Sequence, residues 1–268
     1  MKSNKKIAIL GAGNLGKSIA IGIAKEKLRM PEEIICVKRQ LSGLDDLKPL
    51  GFRVTDDAME AVIEAQTIML CVQPKQLAKL MKQINPFLKE GHVLVSVITG
   101  VAILEIEQMV DADVTVIRAM PNTAIAIGKS MTCIASNLPS SDLYLSLVQD
   151  IFETLGKTLI IDEKLMQAAT VLGASGIAFF MRYLRAATQG GIQMGFHPEE
   201  AQLIAVQTAN GAAGLILQNG QHPEVEIDKV TTPQGCTIEG LNEMEHQGFS
   251  SSLIKGLMTS FQKINNIK

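Results

Sequence analysis

The segment KKIAILGAGNLGKSIAIGIA, near the start of the sequence, constrains the fold more than any other. A short apolar run leads into G-x-G-x-x-G, formed by Gly11, Gly13 and Gly16, and apolar residues at helical spacing follow from about Asn14. A strand that turns this tightly into a helix needs glycine at all three positions. Gly11 permits the turn, Gly13 leaves room for a pyrophosphate against the backbone, and Gly16 lets the helix pack close to the strand. The unpaired N–H groups around Asn14 and Leu15, with the positive end of the helix dipole, compensate phosphate charge without a cationic side chain. The segment predicts a dinucleotide-binding α/β unit.

The pattern that follows agrees with this. Short β-branched runs alternate with helical spacing up to about Ile161, which predicts a parallel sheet with crossover helices. Strands are expected at 6–10, 34–37, 52–54, 68–72, 93–97 and 114–118, with two later ones near 131–135 and 158–161. Pro74 suits the first turn of a helix running to about Asn85. The fold class is therefore α/β, an N-terminal Rossmann-type doubly wound sheet over residues 1–161. The second strand ends in Val37-Lys38-Arg39-Gln40, where an NAD-binding unit usually carries an acid for the ribose 2′-hydroxyl. Two cations attract a 2′-phosphate, so Lys38 and Arg39 favour NADPH, with NADH allowed. Ligands bind at the carboxyl ends of such strands. Val72, Gln73 and Pro74 are accordingly expected near the adenosine half of the cofactor, and Met120 and Asn122 beside its nicotinamide.

Beyond Asp162 the strand signals stop, and residues 162–268 read as an all-α dimerisation and substrate domain. From Ala201 to Pro223 there is no Asp, Glu, Lys or Arg, so these helices need cover nearly all round. A helical domain this short cannot bury that surface alone, which predicts a homodimer with interleaved helices and leaves a larger assembly open. The most membrane-like stretch, Leu165 to Met181, is interrupted by Gln167, Thr170, Gly173, Ser175 and Gly176 and is expected to be a buried helix rather than a membrane span. A net charge of −2 and the absence of Trp argue against a nucleic-acid partner. The four cysteines are scattered, with no zinc-type spacing. The segment MKSNKKIAIL passes from lysines directly into a strand, which predicts a cytoplasmic protein.

Conventional acid–base equipment is scarce. His197 and His222 precede prolines at helix starts, His92 lies at a turn into a strand, His246 is on a polar stretch, and no lysine occurs between Lys164 and Lys229. The segment from Asp228 to Leu241 combines Thr231, Thr232, Pro233, Gly235 and Thr237 just ahead of a helical pattern. Successive N–H groups with these hydroxyls suit a small carboxylate, and an N-capped helix after a Pro-Gly turn is the structural alternative.

Together, IAILGAGNLG, VIRAMPNT, GASGIAFFMRYLRAATQGGIQMG and VTTPQGCTIEGL resemble the pyrroline-5-carboxylate reductases over essentially the whole chain. The last segment resembles the family's V-x-S-P-G-G-x-T-I. The resemblance implies reduction of the cyclic imine 1-pyrroline-5-carboxylate to L-proline by NAD(P)H. It further implies that Thr237 is the hydrogen-bond partner of the ring nitrogen, and that Thr231, Thr232, Gly235 and Cys236 form the carboxylate loop. An iminium accepts hydride without a strong enzymic acid, which agrees with the missing His and Lys. The chain departs from the family pattern at Ile177 and Phe179, in place of proline and tyrosine, and at Gln234, which is expected to obstruct a glycine-type turn. An NADP-dependent hydroxyacid dehydrogenase, a reductase of another cyclic imine and a non-catalytic NADP-binding regulator are the alternatives.

Overall fold

The computed structural model describes residues 6–138 and 142–265, and the leading lysines before residue 6 lie outside them. The chain divides into two compact units, residues 1–174 with 263–268, and residues 175–262.

The first unit is built on a sheet with strand order β3-β2-β1-β4-β5-β6-β7-β8. The strands are β1 (Ile7–Leu10), β2 (Ile34–Val37), β3 (Arg53–Thr55), β4 (Thr67–Leu70), β5 (Val93–Ser96), β6 (Thr115–Met120), β7 (Ser130–Ser136) and β8 (Gly156–Ile160). All eight lie within two or three residues of the runs expected from the sequence. Helices α1 (Asn14–Lys25), α2 (Ala58–Glu64), α3 (Pro74–Ile84), α4 (Ile103–Glu107) and α5 (Leu143–Glu153) connect them. Asp57 and Asp142 cap α2 and α5 by accepting from their first-turn N–H groups.

Alternation along the strands divides the core into two layers. Ile7, Ile9, Cys36, Met69, Val93 and Val95 face Ile19 and Ile23 of α1 and Phe152 of α5. Ala8, Leu10, Ile35, Ile68 and Leu94 face Val62 of α2, Leu77 of α3 and Ile103 of α4. Both faces are covered, which explains why these strands read as continuous apolar runs rather than as alternating patterns.

One expectation needs correction. The sheet is not wholly parallel, because β7 runs antiparallel to β6, pairing Met120 with Cys133, while β7 and β8 run parallel through α5. Residues 121–129 are too few for a right-handed crossover, so the chain turns back beside β6 instead.

After β8 the chain forms the short helix α6 (Met166–Ala169) and a π-helical turn, Thr170–Ser175. The sequence placed the domain division at 161/162. The compact units divide after Ala174, because Met166 is buried beside Met120, Cys133 and Ala135, and because Glu163 accepts from Arg118 Nη1 (2.9 Å) and Ile103 N (2.7 Å).

The second unit holds α7 (Gly176–Gln193), α8 (Pro198–Asn219), α9 (Pro223–Asp228), α10 (Cys236–His246) and most of α11 (Phe249–Asn265). Helices α7 and α8 pack along each other, with Gly191 so close to Ala201 that an added Cβ would meet it at 2.8 Å. Expected burial is not met within one chain. Met181, Leu203 and Leu217 are exposed, and a groove of about 770 Å³ lies between Met181, Leu184, Ile192, Pro198 and Val206. The helical run 163–193 is long and apolar enough to cross a membrane, by length and composition alone.

Candidate active site

Rossmann-type units bind ligands at the carboxyl ends of their strands where strand order reverses. The chain leaves β1 for β2 on one side and returns after β3 to β4 on the other, so strand order reverses at β1. Gly11 takes φ +103°, and a Cβ there would lie 2.7 Å from the Cys71 carbonyl oxygen. Glycine is what lets the ends of β1 and β4 approach. A Cβ on Gly16 would lie 2.7 Å from Gly11 O and 3.0 Å from Ile9, which is the close helix–strand packing expected. Gly13 differs, since nothing lies within 4 Å of the position its Cβ would take.

The turn is held from below. Gly11 N and Ala12 N both donate to Val37 O at 3.0 and 2.9 Å, and Gly13 N donates to Gly11 O at 2.7 Å. Gly13 is the N-cap of α1, no side chain caps that terminus, and no acid stands in its first turn. The N–H groups of Asn14, Leu15 and Gly16 are thus presented with the helix dipole behind them. Open space over Gly13, donors beside it and no acid within the helix's own first turn fit a dinucleotide pyrophosphate.

The other expected cofactor residues divide. Lys38 and Arg39 follow β2 directly. Lys38 N donates to Thr55 O at 3.1 Å, and its side chain lies against Gly43, while Arg39 is exposed. Val72 is half-buried against the α2–α3 side of the core. Exposed Gln73 is the N-cap of α3, its N–H donating to Gln76 Oε1 at 3.1 Å, and Pro74 opens that helix. Met120 and Asn122 are turned inward. Met120 is buried with Cys133, Ala135 and Met166. Asn122 accepts from Ala124 N (3.0 Å) through Oδ1, donates to Gly173 O (3.3 Å) through Nδ2, and gives its own N–H to Ser130 Oγ (3.0 Å). These contacts brace the 121–129 turn and the π-turn.

In the second unit, α9, a short loop and the start of α10 bring together Thr231, Thr232, Gly235, Cys236 and Thr237. Thr231 Oγ1 donates to Asp228 O at 3.2 Å, and Gly235 N donates to Thr232 O at 2.9 Å. A Cβ on Gly235 would collide with Thr232 Oγ1, which accounts for glycine there. Gly235 is the N-cap of α10 without side-chain capping, so the N–H groups of Cys236, Thr237 and Ile238 are open. Thr232, Cys236 and Thr237 are exposed, whereas Thr231 and Gly235 are half-buried. The obstruction expected at Gln234 does not arise, since Gln234 adopts φ +60°. That left-handed conformation costs an L residue about 1–2 kcal/mol and is not closed to it. The turn survives the substitution. Ile177 and Phe179, both half-buried, lie in the first turn of α7 just after the π-turn.

No histidine is poised as an acid or base. His197 and His222 occupy the N-cap positions of α8 and α9, and His222 Nδ1 accepts from Glu224 N at 3.3 Å. His92 sits at the amino end of β5, opposite the carboxyl ends of the parallel strands, and His246 is exposed at the end of α10. Burial pushes the thiols of Cys36 and Cys71 up to about 12, so both stay protonated. Among the described residues no group of His, Cys, Asp or Glu is arranged to hold a metal ion. Sequence reasoning passed over Lys17, which reaches Gly43 O and Asp46 from α1. Its place one residue after Gly16 was the only available signal.

Residues 163–267 match the family described as pyrroline-5-carboxylate reductase dimerisation, and residues 6–100 match the NADP oxidoreductase, coenzyme F420-dependent, family. Pyrroline-5-carboxylate reductase 2 of Dictyostelium discoideum is 42% identical over 98% of this chain and 93% of its own length. This chain belongs to the pyrroline-5-carboxylate reductase family. Pyrroline-5-carboxylate reductase 1 of the same organism is 47% identical over 96% of this chain, which spans about half (49%) of that protein. The structure of the Plasmodium falciparum pyrroline carboxylate reductase with NADP bound shares the fold, with a TM-score of 0.87, 24% identity and 97% of each chain covered. The exposed helices of the second unit therefore lie in the family's dimerisation region, and the glycine turn of the first lies in the NADP oxidoreductase match.

Proposed function

We propose that this protein reduces 1-pyrroline-5-carboxylate to L-proline with NADPH, NADH being the weaker donor, as the last step of proline formation. The observation that carries the reading is the loop from Thr231 to Thr237, which keeps an open, uncapped helix N-terminus with hydroxyls beside it although Gln234 replaces glycine. When bound, the reduced nicotinamide supplies the hydride. Residues 1–161 hold the cofactor through the N–H groups of Asn14, Leu15 and Gly16 over the open space at Gly13, with Lys38 and Arg39 for the 2′-phosphate and Val72 to Pro74 along the adenosine side. Residues 162–268 hold the substrate. Its carboxylate is taken by the open N–H groups of Cys236 and Thr237 and the hydroxyl of Thr232, in a loop that Gly235 N and Thr231 Oγ1 hold in shape by donating to Thr232 O and Asp228 O. Thr237 Oγ1 orients the ring nitrogen, whose protonated iminium form makes the adjacent carbon electrophilic. Orientation and fixed dipoles carry the catalysis, and no enzymic base is needed.

The working unit is a homodimer in the cytoplasm, with no membrane or nucleic-acid partner. Its helices α7 and α8 are covered by a second copy, which supports reading the apolar run 163–193 as an interface. The test follows NADPH oxidation by the purified protein with 1-pyrroline-5-carboxylate, its six-membered homologue and a hydroxyacid. Oxidation dependent on the five-membered imine is expected. Turnover of the homologue alone would reassign the substrate, and no imine-dependent oxidation would overturn the reading.

A further inference from the structure

The loop after β2 holds a contact that the proposed reaction leaves unused. Lys17 projects from α1 to this loop, where its ammonium donates to Gly43 O at 3.1 Å and to Asp46 Oδ1 at 2.6 Å. Lys38 lies on the same loop, so close to Gly43 that an added Cβ would strike its Nζ. Asp46 thus has two ammonium neighbours, which hold its carboxyl below the ordinary 3.8, the Lys17 hydrogen bond contributing most. Its side chain is 61% exposed, against 22% for Lys17. These groups meet beside the carboxyl end of β2 and the first turn of α1, where a Rossmann-type unit receives the adenosine ribose.

We propose that Asp46 is a specificity-determining residue, a resident counter-ion that competes with a 2′-phosphate for the charge of Lys17 and Lys38, so that its carboxylate moderates the preference for NADPH. This rests on the cofactor reading of the first unit. Arg39 can grip the phosphate through paired hydrogen bonds, and Lys17, with two of its three N–H donors on Gly43 O and Asp46, has one donor left and a charge that Asp46 already neutralises. The carboxylate repels the incoming dianion. NADH has no 2′-phosphate and is indifferent to this charge. Asparagine at position 46 keeps the shape and an oxygen for Lys17, and removes only the charge.

The experiment measures NADPH and NADH dissociation constants by nicotinamide fluorescence for the intact wild-type protein, Asp46→Asn and Lys17→Gln. Asp46→Asn is expected to tighten NADPH about 3–10-fold at low ionic strength, an advantage that shrinks in high salt as screening sets in, with NADH within about twofold. Lys17→Gln is expected to weaken NADPH at least about threefold and leave NADH unchanged. If the wild type binds NADPH and Asp46→Asn fails to tighten it, or weakens both cofactors in step, the assignment falls and the pair is only a tie for the loop. A wild type that binds neither dinucleotide overturns the cofactor reading and this assignment with it.

Discussion

The three glycines of the cofactor turn are one motif on paper and three different physical situations in the fold. Gly13 has ordinary backbone angles, φ −79° and ψ −159°, and open space where a side chain would go. Gly13→Ala should therefore keep stability within about 1 kcal/mol in urea unfolding while lowering NADPH affinity more than about tenfold, since its methyl occupies the pyrophosphate space. Gly16→Ala should instead lose stability, because its Cβ would press on Gly11 O. Thr237→Ala belongs to the same scale: kcat/KM for the imine should fall about 10–100-fold with NADPH affinity unchanged, the size expected for one hydrogen bond to a reacting group. His92 is the residue whose behaviour follows chiefly from burial. It is 2% exposed, Nδ1 accepts from Lys89 N at 3.3 Å, and Nε2 has no hydrogen-bond partner among the described residues. Burial, assisted by Lys89, depresses its pKa below 6.5. The unfolded chain then binds this proton more readily than the folded one. His92 therefore contributes its full stability above pH 6.5 and loses it as pH falls toward the folded value. Measured between pH 7 and 5, the unfolding free energy of His92→Phe should lack this part of the acid loss, which is at most about 1.4 kcal/mol per pH unit.

At the scale of elements, one buried ion pair ties three pieces of the first unit together. Arg118 of β6 is 5% exposed, and its partner Glu163 also accepts the first N–H of α4. Glu163→Ala would leave a guanidinium buried without its counter-charge. A loss of about 3 kcal/mol is expected by chemical denaturation, at the low end for a buried pair because Glu163 keeps 26% of its side chain exposed. Element types and order were legible in the sequence, since β-branched runs, Pro74 and the apolar spacing of α1 act through local backbone preferences. The reversal at β7 was not. Its direction depends on whether residues 121–129 can span a crossover, a question about distance between strand ends that no local pattern contains. Gln234 shows the same limit from the other side, because its left-handed backbone is set by the loop around it rather than by its own preference.

For the molecule as a whole, the second unit is the part that one chain leaves unfinished. Leu217, at 79% exposure, and Leu203, at 70%, stand on α8 where the sequence carries no charge to solvate them. Each costs free energy in water that a second copy would recover. Leu217→Glu should halve the mass found by analytical ultracentrifugation relative to wild type. A wild type that is itself monomeric, or a variant that stays dimeric, would remove this surface from the interface.

The sequence by itself determined what depends on neighbours along the chain. It placed the glycine turn after β1, the eight strands, the change to helix beyond Asp162, the threonine loop before α10, and a charge-free run from Ala201 to Pro223 that needs cover. These are matters of backbone conformation and side-chain spacing, written within a few residues of where they act. Only the tertiary structure decided which distant groups meet. It turned Met120 and Asn122 inward, joined Arg118 to Glu163, let Gln234 take a conformation suited to glycine, and set Asp46 against Lys17 beside the expected 2′-phosphate position. Such pairings depend on how strands and helices pack across the whole unit, and residues far apart in sequence carry no local mark of them.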